Sequence, residues 1–254
     1  MKTRKAAVAG MFYPGDREEL KKMINGFLKK APAVKDDRSL KAIIVPHAGY
    51  IYSGLTAAYA YALLEKYKDK EQKIILLGPS HFAYLTDVAA DTNDYWETPL
   101  GTVKIVKNNF PKLTEPHLKE HCLEVQVPFL QAVLKKFEVL PLVAGDVDPK
   151  KISPSVTKLL DNNSLLVISS DLSHYHDYDT AVKLDKNTNS AIGKLDYDRM
   201  MQVGEACGIL PILTAIDIAK NLKWKPKLLD YRNSGDTAGT KDSVVGYASF
   251  AFFG

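Results

Sequence analysis

The chain has 254 residues, 46% hydrophobic and 25% charged, with a formal charge of +4, an ordinary globular composition long enough for a substantial core. Its lysines are interspersed with acids, which argues against a nucleic-acid footprint. The basic start, Lys2 to Lys5, runs into AAVAGMFYPG, too short and broken for a signal peptide or a membrane span, and with only Cys122 and Cys207 a reducing cytoplasm without disulfides is expected.

In chain order, Asp16 is placed to cap a helix over Arg17 to Lys30, where Leu20, Met23, Ile24, Phe27 and Leu28 recur at helical spacing. APAVKDDRS, Ala31 to Ser39, reads as a surface loop. KAIIVP, Lys41 to Pro46, predicts a buried strand, Gly54 to Lys68 a helix, and KIILLG, Lys73 to Gly78, a second buried strand. Val88 to Val106 reads as an antiparallel excursion turning at Pro99-Leu100-Gly101, and Pro116 to Phe137 as a helix kinked or broken at Pro128. EVLPLVAG predicts a third strand, Ile152 to Leu160 a helix, and LLVISS, Leu165 to Ser170, a fourth strand. Helices over Asp179 to Leu195 and on down to Asn221 precede two closing strands, KPKLLDYRN and SVVGYASFAFF. Apolar strands alternating with helices predict one α/β domain over residues 1–254, its largely parallel or mixed sheet covered by helices on both faces.

Chemistry gathers where three of the apolar strands end. KAIIV is followed by Pro46-His47, KIILLG by Pro79-Ser80-His81, and LLVISS by Asp171 and His174. In open α/β sheets ligands bind beyond the carboxyl ends of the strands. If these strands run parallel, all four residues emerge at one edge, and imidazoles converging on a point are ligands for zinc, iron or copper. The spacing is not local, with no HExxH and no CxxC, so the metal expectation rests on topology. His121 and Glu124, three apart in the helical reading, share a face as a ligand pair, a supporting pair or a surface contact. Cys122, turned off that face, reads as a small core residue. Cys207 in EACGILP reads as a buried hydrophobe, a nucleophile or a soft ligand. His117 and His176, in polar surroundings, read as solvated.

PHAGYIYSG, GPSHF, EHCLEVQVPFL, SSDLSH and ACG..P, bracketed by AGMFYPG and VVGYASFAF, fall in one order over most of the chain. Together they resemble the Memo family, which is similar in fold to the LigB-type class III extradiol ring-cleaving dioxygenases. The resemblance implies metal ligands at His47, His81 and Cys207, with His174 beside the metal and Asp171 and His121 lining the same pocket. It implies a divalent metal, Fe2+ foremost and Zn2+ or copper as alternatives. A thiolate in place of the usual carboxylate of non-haem iron oxygenases departs from the dioxygenase pattern, so ring-opening does not follow from the fold.

Three functions follow from that resemblance. One is a metal-dependent, dioxygenase-like redox enzyme for a small aromatic or phenolic substrate, with His174 as acid/base oriented by Asp171 or His121. Another is a non-catalytic module binding a peptide in the same pocket, and the third a zinc-dependent hydrolase. The resemblance also implies a functional link to AMMECR-type and radical-SAM proteins. No nucleic-acid or membrane partner is expected.

Overall fold

The apolar runs at 41–46, 73–78, 138–145 and 165–170 become the parallel centre of one sheet in the computed structural model, which describes residues 1–32 and 36–254. In chain order the elements are β1 (Thr3–Arg4), α1 (Arg17–Lys30), β2 (Leu40–Val45), α2 (Tyr50–Tyr61), β3 (Gln72–Pro79), β4 (Val88–Ala90), β5 (Tyr95–Thr98) and β6 (Gly101–Lys104). There follow α3 (Glu115–Leu118), α4 (Gln126–Val133), β7 (Phe137–Ala144), α5 (Pro149–Thr157), β8 (Ser164–Ser169), β9 (His174–His176) and α6 (Tyr178–Gly193). The chain closes with α7 (Tyr197–Val203), α8 (Ile209–Asn221), β10 (Lys225–Asn233) and β11 (Val244–Phe253).

The main sheet runs β10-β11-β2-β8-β3-β7-β4, with β9 added to β11. β2, β8, β3 and β7 are parallel, while β11 and β4 flank them antiparallel, so the sheet is mixed. Alternate side chains of each central strand face opposite sides, and both sides are apolar. Ile43, Val45, Ile74, Leu76 and Val167 pack in the core that includes residues of α1, α2 and α4. Ile44, Ile75, Leu77, Leu166 and Ile168 pack in a second core with residues of α5 to α8. Burial on both faces is why these strands read as continuous apolar runs rather than alternating ones. Among the described residues no helix is long and apolar enough to cross a membrane.

Asp16 caps α1 by accepting from the amides of Glu18 and Glu19. β5 and β6 form the expected hairpin, and β5 also pairs with β1 in a separate three-stranded sheet that the sequence reading did not foresee. Of the loop expected over Ala31 to Ser39, residues 33–35 lie outside the described residues. The helix expected over Gly54 to Lys68 begins instead at Tyr50 and tightens into a 3-10 turn, Ala62–Tyr67. The long helix expected over Pro116 to Phe137 is also corrected. Only Glu115–Leu118 and Gln126–Val133 are helical, and Phe137 opens β7. Pro128 lies in the first turn of α4, where its missing N–H costs no helical hydrogen bond, so it does not kink the helix.

Candidate metal centre

Because β2, β8 and β3 are parallel neighbours, their carboxyl ends share one edge. His47 lies two residues past β2, His81 two past β3 and Asp171 two past β8. Ligand-capable atoms of His47, His81 and His121 lie within 4.8 Å of one another. Their ring centroids are 5.2 Å apart for His47–His81, 5.3 Å for His47–His121 and 4.8 Å for His81–His121.

Hydrogen bonds settle which nitrogen is engaged in two of the three rings. Ser169 Oγ donates to the Cys122 carbonyl at 2.7 Å and accepts from Gln126 Nε2 at 2.9 Å. Its hydroxyl proton is thus used, and His47 Nδ1, 3.0 Å away, must be the donor. His81 Nδ1 donates to Glu120 Oε1 at 2.9 Å, and His121 Nδ1 lies 3.4 Å from the same oxygen. Nδ1 of His47 and Nδ1 of His81 are engaged by protein, which leaves their Nε2 atoms as the candidate metal donors. A carboxylate behind a histidine fixes the ring and raises its basicity toward a metal.

Glu120 is the residue the sequence reading missed. It is fully buried and also accepts from the His81 amide at 2.7 Å and the Cys122 amide at 3.1 Å. Burial pushes its carboxyl up, but the His81 imidazole and these amides outweigh that and hold it at about 2. Glu124, singled out in the sequence, serves elsewhere. It is buried on Arg4 at 2.6 Å and accepts from the Ala7 and Val8 amides and the Tyr13 hydroxyl. The shared helical face of His121 and Glu124 is therefore corrected, since both precede α4 on a turn. The only sequence signal for Glu120 was its place beside His121.

Cys207 approaches His47 from the loop between α7 and α8. Its Sγ lies 3.2 Å from His47 Nε2 and accepts from the Asp171 amide at 3.3 Å. The approach depends on Gly208, where a Cβ would lie 2.7 Å from Ser170 Cβ. Asp171 is buried and ties β8 to β2, its Oδ1 accepting from the His47 amide at 2.7 Å. His174 opens β9, three residues past Asp171, and pairs with Val245 of β11. Asp177, not Asp171, caps α6.

Burial sets the electrostatics. It pushes His47 down to about 3, with the neighbouring His81 adding to the effect, and pushes His121 down to about 4, aided by His47. It raises the Cys207 thiol to about 12, with Asp171 adding to the rise, and raises Asp171 itself. His47 and His121 are thus neutral at pH 7, the form that binds metals. Phe12 and Phe82 wall the His121 ring at centroid distances of 4.7 and 6.0 Å. Cys122 is fully buried, as expected of a core residue. His117, expected to be solvated, is instead fully buried, its Nε2 against the Ala89 carbonyl, whereas His176 is partly exposed and paired with Glu205. A cleft of about 1710 Å³ beside the β5–β6 hairpin and the start of α5 is lined by none of the cluster residues.

The fold and this pocket define an α/β protein with a histidine cluster able to hold a metal at the carboxyl edge of a mixed sheet. The chain belongs to the Memo family, since the family model described as Memo-like protein matches residues 4–251. It is 39% identical to a MEMO1 family protein of Aquifex aeolicus (strain VF5), over 99% of this chain and 100% of that one. It is 36% identical to a MEMO1 family protein of Nitrosopumilus maritimus (strain SCM1), over 98% and 99% of the two chains. Among solved structures it resembles the uncharacterized protein JW3007 from Escherichia coli K12, with a TM-score of 0.51 and 10% identity over 83% of this chain and 99% of that one. At that identity the likeness is one of fold alone.

Proposed function

We infer that the pocket is the metal centre of a cytoplasmic non-haem-iron redox enzyme acting on a small aromatic or phenolic molecule. His47, His81 and Cys207 hold the ion, Fe2+ foremost. The observation that carries this reading is the tautomer pattern, because Ser169 and Glu120 occupy the Nδ1 atoms of His47 and His81 and leave the Nε2 atoms to a metal, the one on His47 facing Cys207 Sγ at 3.2 Å. Two imidazoles and a thiol suit a first-row metal that tolerates soft donors. When bound, such a metal supplies Lewis acidity toward a phenolic oxygen and a redox couple. The remaining groups belong to the substrate. The His121 ring, with the aromatic rings of Phe12 and Phe82 beside it, gives a planar substrate a surface to stack on. His174 takes and returns the proton of a substrate hydroxyl, with Asp171 and His121 orienting it.

A second reading, a peptide-binding module on the same pocket, draws support from the exposed Met11, Phe82, Tyr84 and Tyr175, each next to or within three residues of a pocket side chain. Metal analysis of protein purified without oxygen separates the two. Metal should be present and should fall at least about tenfold in Cys207→Ser while persisting in Cys122→Ser. Equal loss in both variants would overturn the ligand assignment, and peptide binding that survives removal of the ligands would favour the module.

A further inference from the structure

α6 buries a carboxylate in its middle, which a core helix does not need. Asp185 is fully buried, and burial pushes its carboxyl up. A hydrophobic residue at that position would avoid the desolvation cost. Its partners reveal what the carboxylate holds. Oδ1 accepts from the Ser173 amide at 3.0 Å, and Oδ2 accepts from the Tyr231 hydroxyl at 2.8 Å. Ser173 is the residue before His174. The same stretch is held from the other side by β11, the Leu172 amide donating to the Gly246 carbonyl at 2.8 Å and the Gly246 amide to the Ser173 carbonyl at 2.9 Å. Gly246 itself makes room for Asp185, because a Cβ there would overlap the carboxylate.

The local backbone requires such a hold. Tyr175 has φ 62°, in the left-handed region that non-glycine residues rarely occupy. Lying between His174 and His176, it breaks the regular alternation of a strand, so the direction of the His174 ring depends on outside contacts. One turn further along α6, Thr188 accepts from the Glu205 amide at 3.0 Å, two residues before Cys207. A single helix therefore anchors the backbones that deliver both His174 and Cys207.

We propose that Asp185 is a positioning residue that sets His174 over the pocket by holding the Ser173 amide. This rests on the reading of His174 as the acid/base, so the test judges placement and chemistry separately. Placement is read from the imidazole NMR resonances of His174 in metal-free protein. Chemistry is read from the affinity of zinc-loaded protein for nitrocatechol. In Asp185→Ala the ring resonances should move and nitrocatechol affinity should fall about tenfold or more, with zinc stoichiometry unchanged. Asp185→Asn should recover most of both, because its amide oxygen can still accept from Ser173 while its nitrogen donates to Tyr231. In a His174→Ala background, Asp185→Ala should cost no further affinity. Unmoved resonances in folded Asp185→Ala, or an equal affinity loss without His174, would overturn the proposal. If His174→Ala alone leaves affinity unchanged, the acid/base reading falls and the ring resonances still judge Asp185. Should Asp185→Ala fail to fold, Asp185→Ser, too short to reach the Ser173 amide, is read the same way.

Discussion

Ser169 has a single hydroxyl proton, and its use on the Cys122 carbonyl decides the tautomer of His47. The thiol opposite has the contrary problem. Raised to about 12, Cys207 carries a proton at every physiological pH, while His47, at about 3, carries none on Nε2. The metal-free pair is a neutral thiol facing a neutral imidazole, and a metal must displace the thiol proton to bind sulfur. Zinc binding near pH 7 should therefore release one proton from Cys207, and apparent affinity should rise about tenfold per pH unit from this group. Calorimetry in buffers of different ionisation enthalpy measures the release, and Cys207→Ser should abolish it. A release unchanged by that substitution would show that the sulfur is not a ligand. Residue chemistry was legible where a titratable side chain follows an apolar strand, as at His47, His81 and Asp171. It was not legible for Glu120, because an acid among charged neighbours has no local mark of burial.

At the scale of elements, the repeated spacing matters more than any motif. Three parallel strands each place a titratable side chain at the second residue past their end, so sheet register brings His47, His81 and Asp171 to one edge, and His121 joins the two histidines from the segment before α4. The approach of Cys207 to His47 depends on how closely the start of α8 comes to β8. A methyl at Gly208 would meet Ser170 Cβ at 2.7 Å and its backbone neighbour, the Ser169 carbonyl, at 2.9 Å. Gly208→Ala should cost about 1–3 kcal/mol of stability, seen as a lower urea midpoint, and should weaken metal binding by moving Cys207. Unaltered metal affinity with the stability loss present would separate that glycine from the site. The misread element was the stretch around EHCLE. Its apolar spacing is helical, but Glu120 and Glu124 are drawn to separate partners, His81 and the Arg4–Val8 segment, and those contacts override the periodicity.

For the whole molecule, the buried imidazoles make acid stability a readout of the pocket. His47 and His121 titrate below the ordinary histidine value of about 6.5, so between roughly pH 6.5 and 4 the unfolded chain binds more protons than the folded one. Their contribution is complete above that range and is lost as pH falls through it. Glu120, held at about 2, extends the loss below the ordinary carboxylate range, whereas Asp171 and Asp185, pushed up by burial, oppose it. Urea unfolding of the metal-free protein should show stability dropping from pH 7 to 5 by at most about 1.4 kcal/mol per pH unit for each imidazole. The slope should flatten in His121→Asn, and an unchanged slope would mean that His121 is not buried neutral.

The sequence by itself determined the α/β class, the order of the central strands and helices, and the strand ends at which His47, His81 and Asp171 emerge. These follow from short-range information, since apolar runs bounded by turns and caps declare themselves within a dozen residues. Only the tertiary structure decided that Glu120, rather than Glu124, backs His81 and His121, that the Cys207 sulfur stands 3.2 Å from His47 Nε2, and that β1 joins β5 in a second sheet. Apart from the neighbours Glu120 and His121, those contacts join residues tens to more than a hundred positions apart. Nothing in the local pattern encodes them, because burial of the carboxylates and the thiol exists only once the helices have packed on both faces of the sheet.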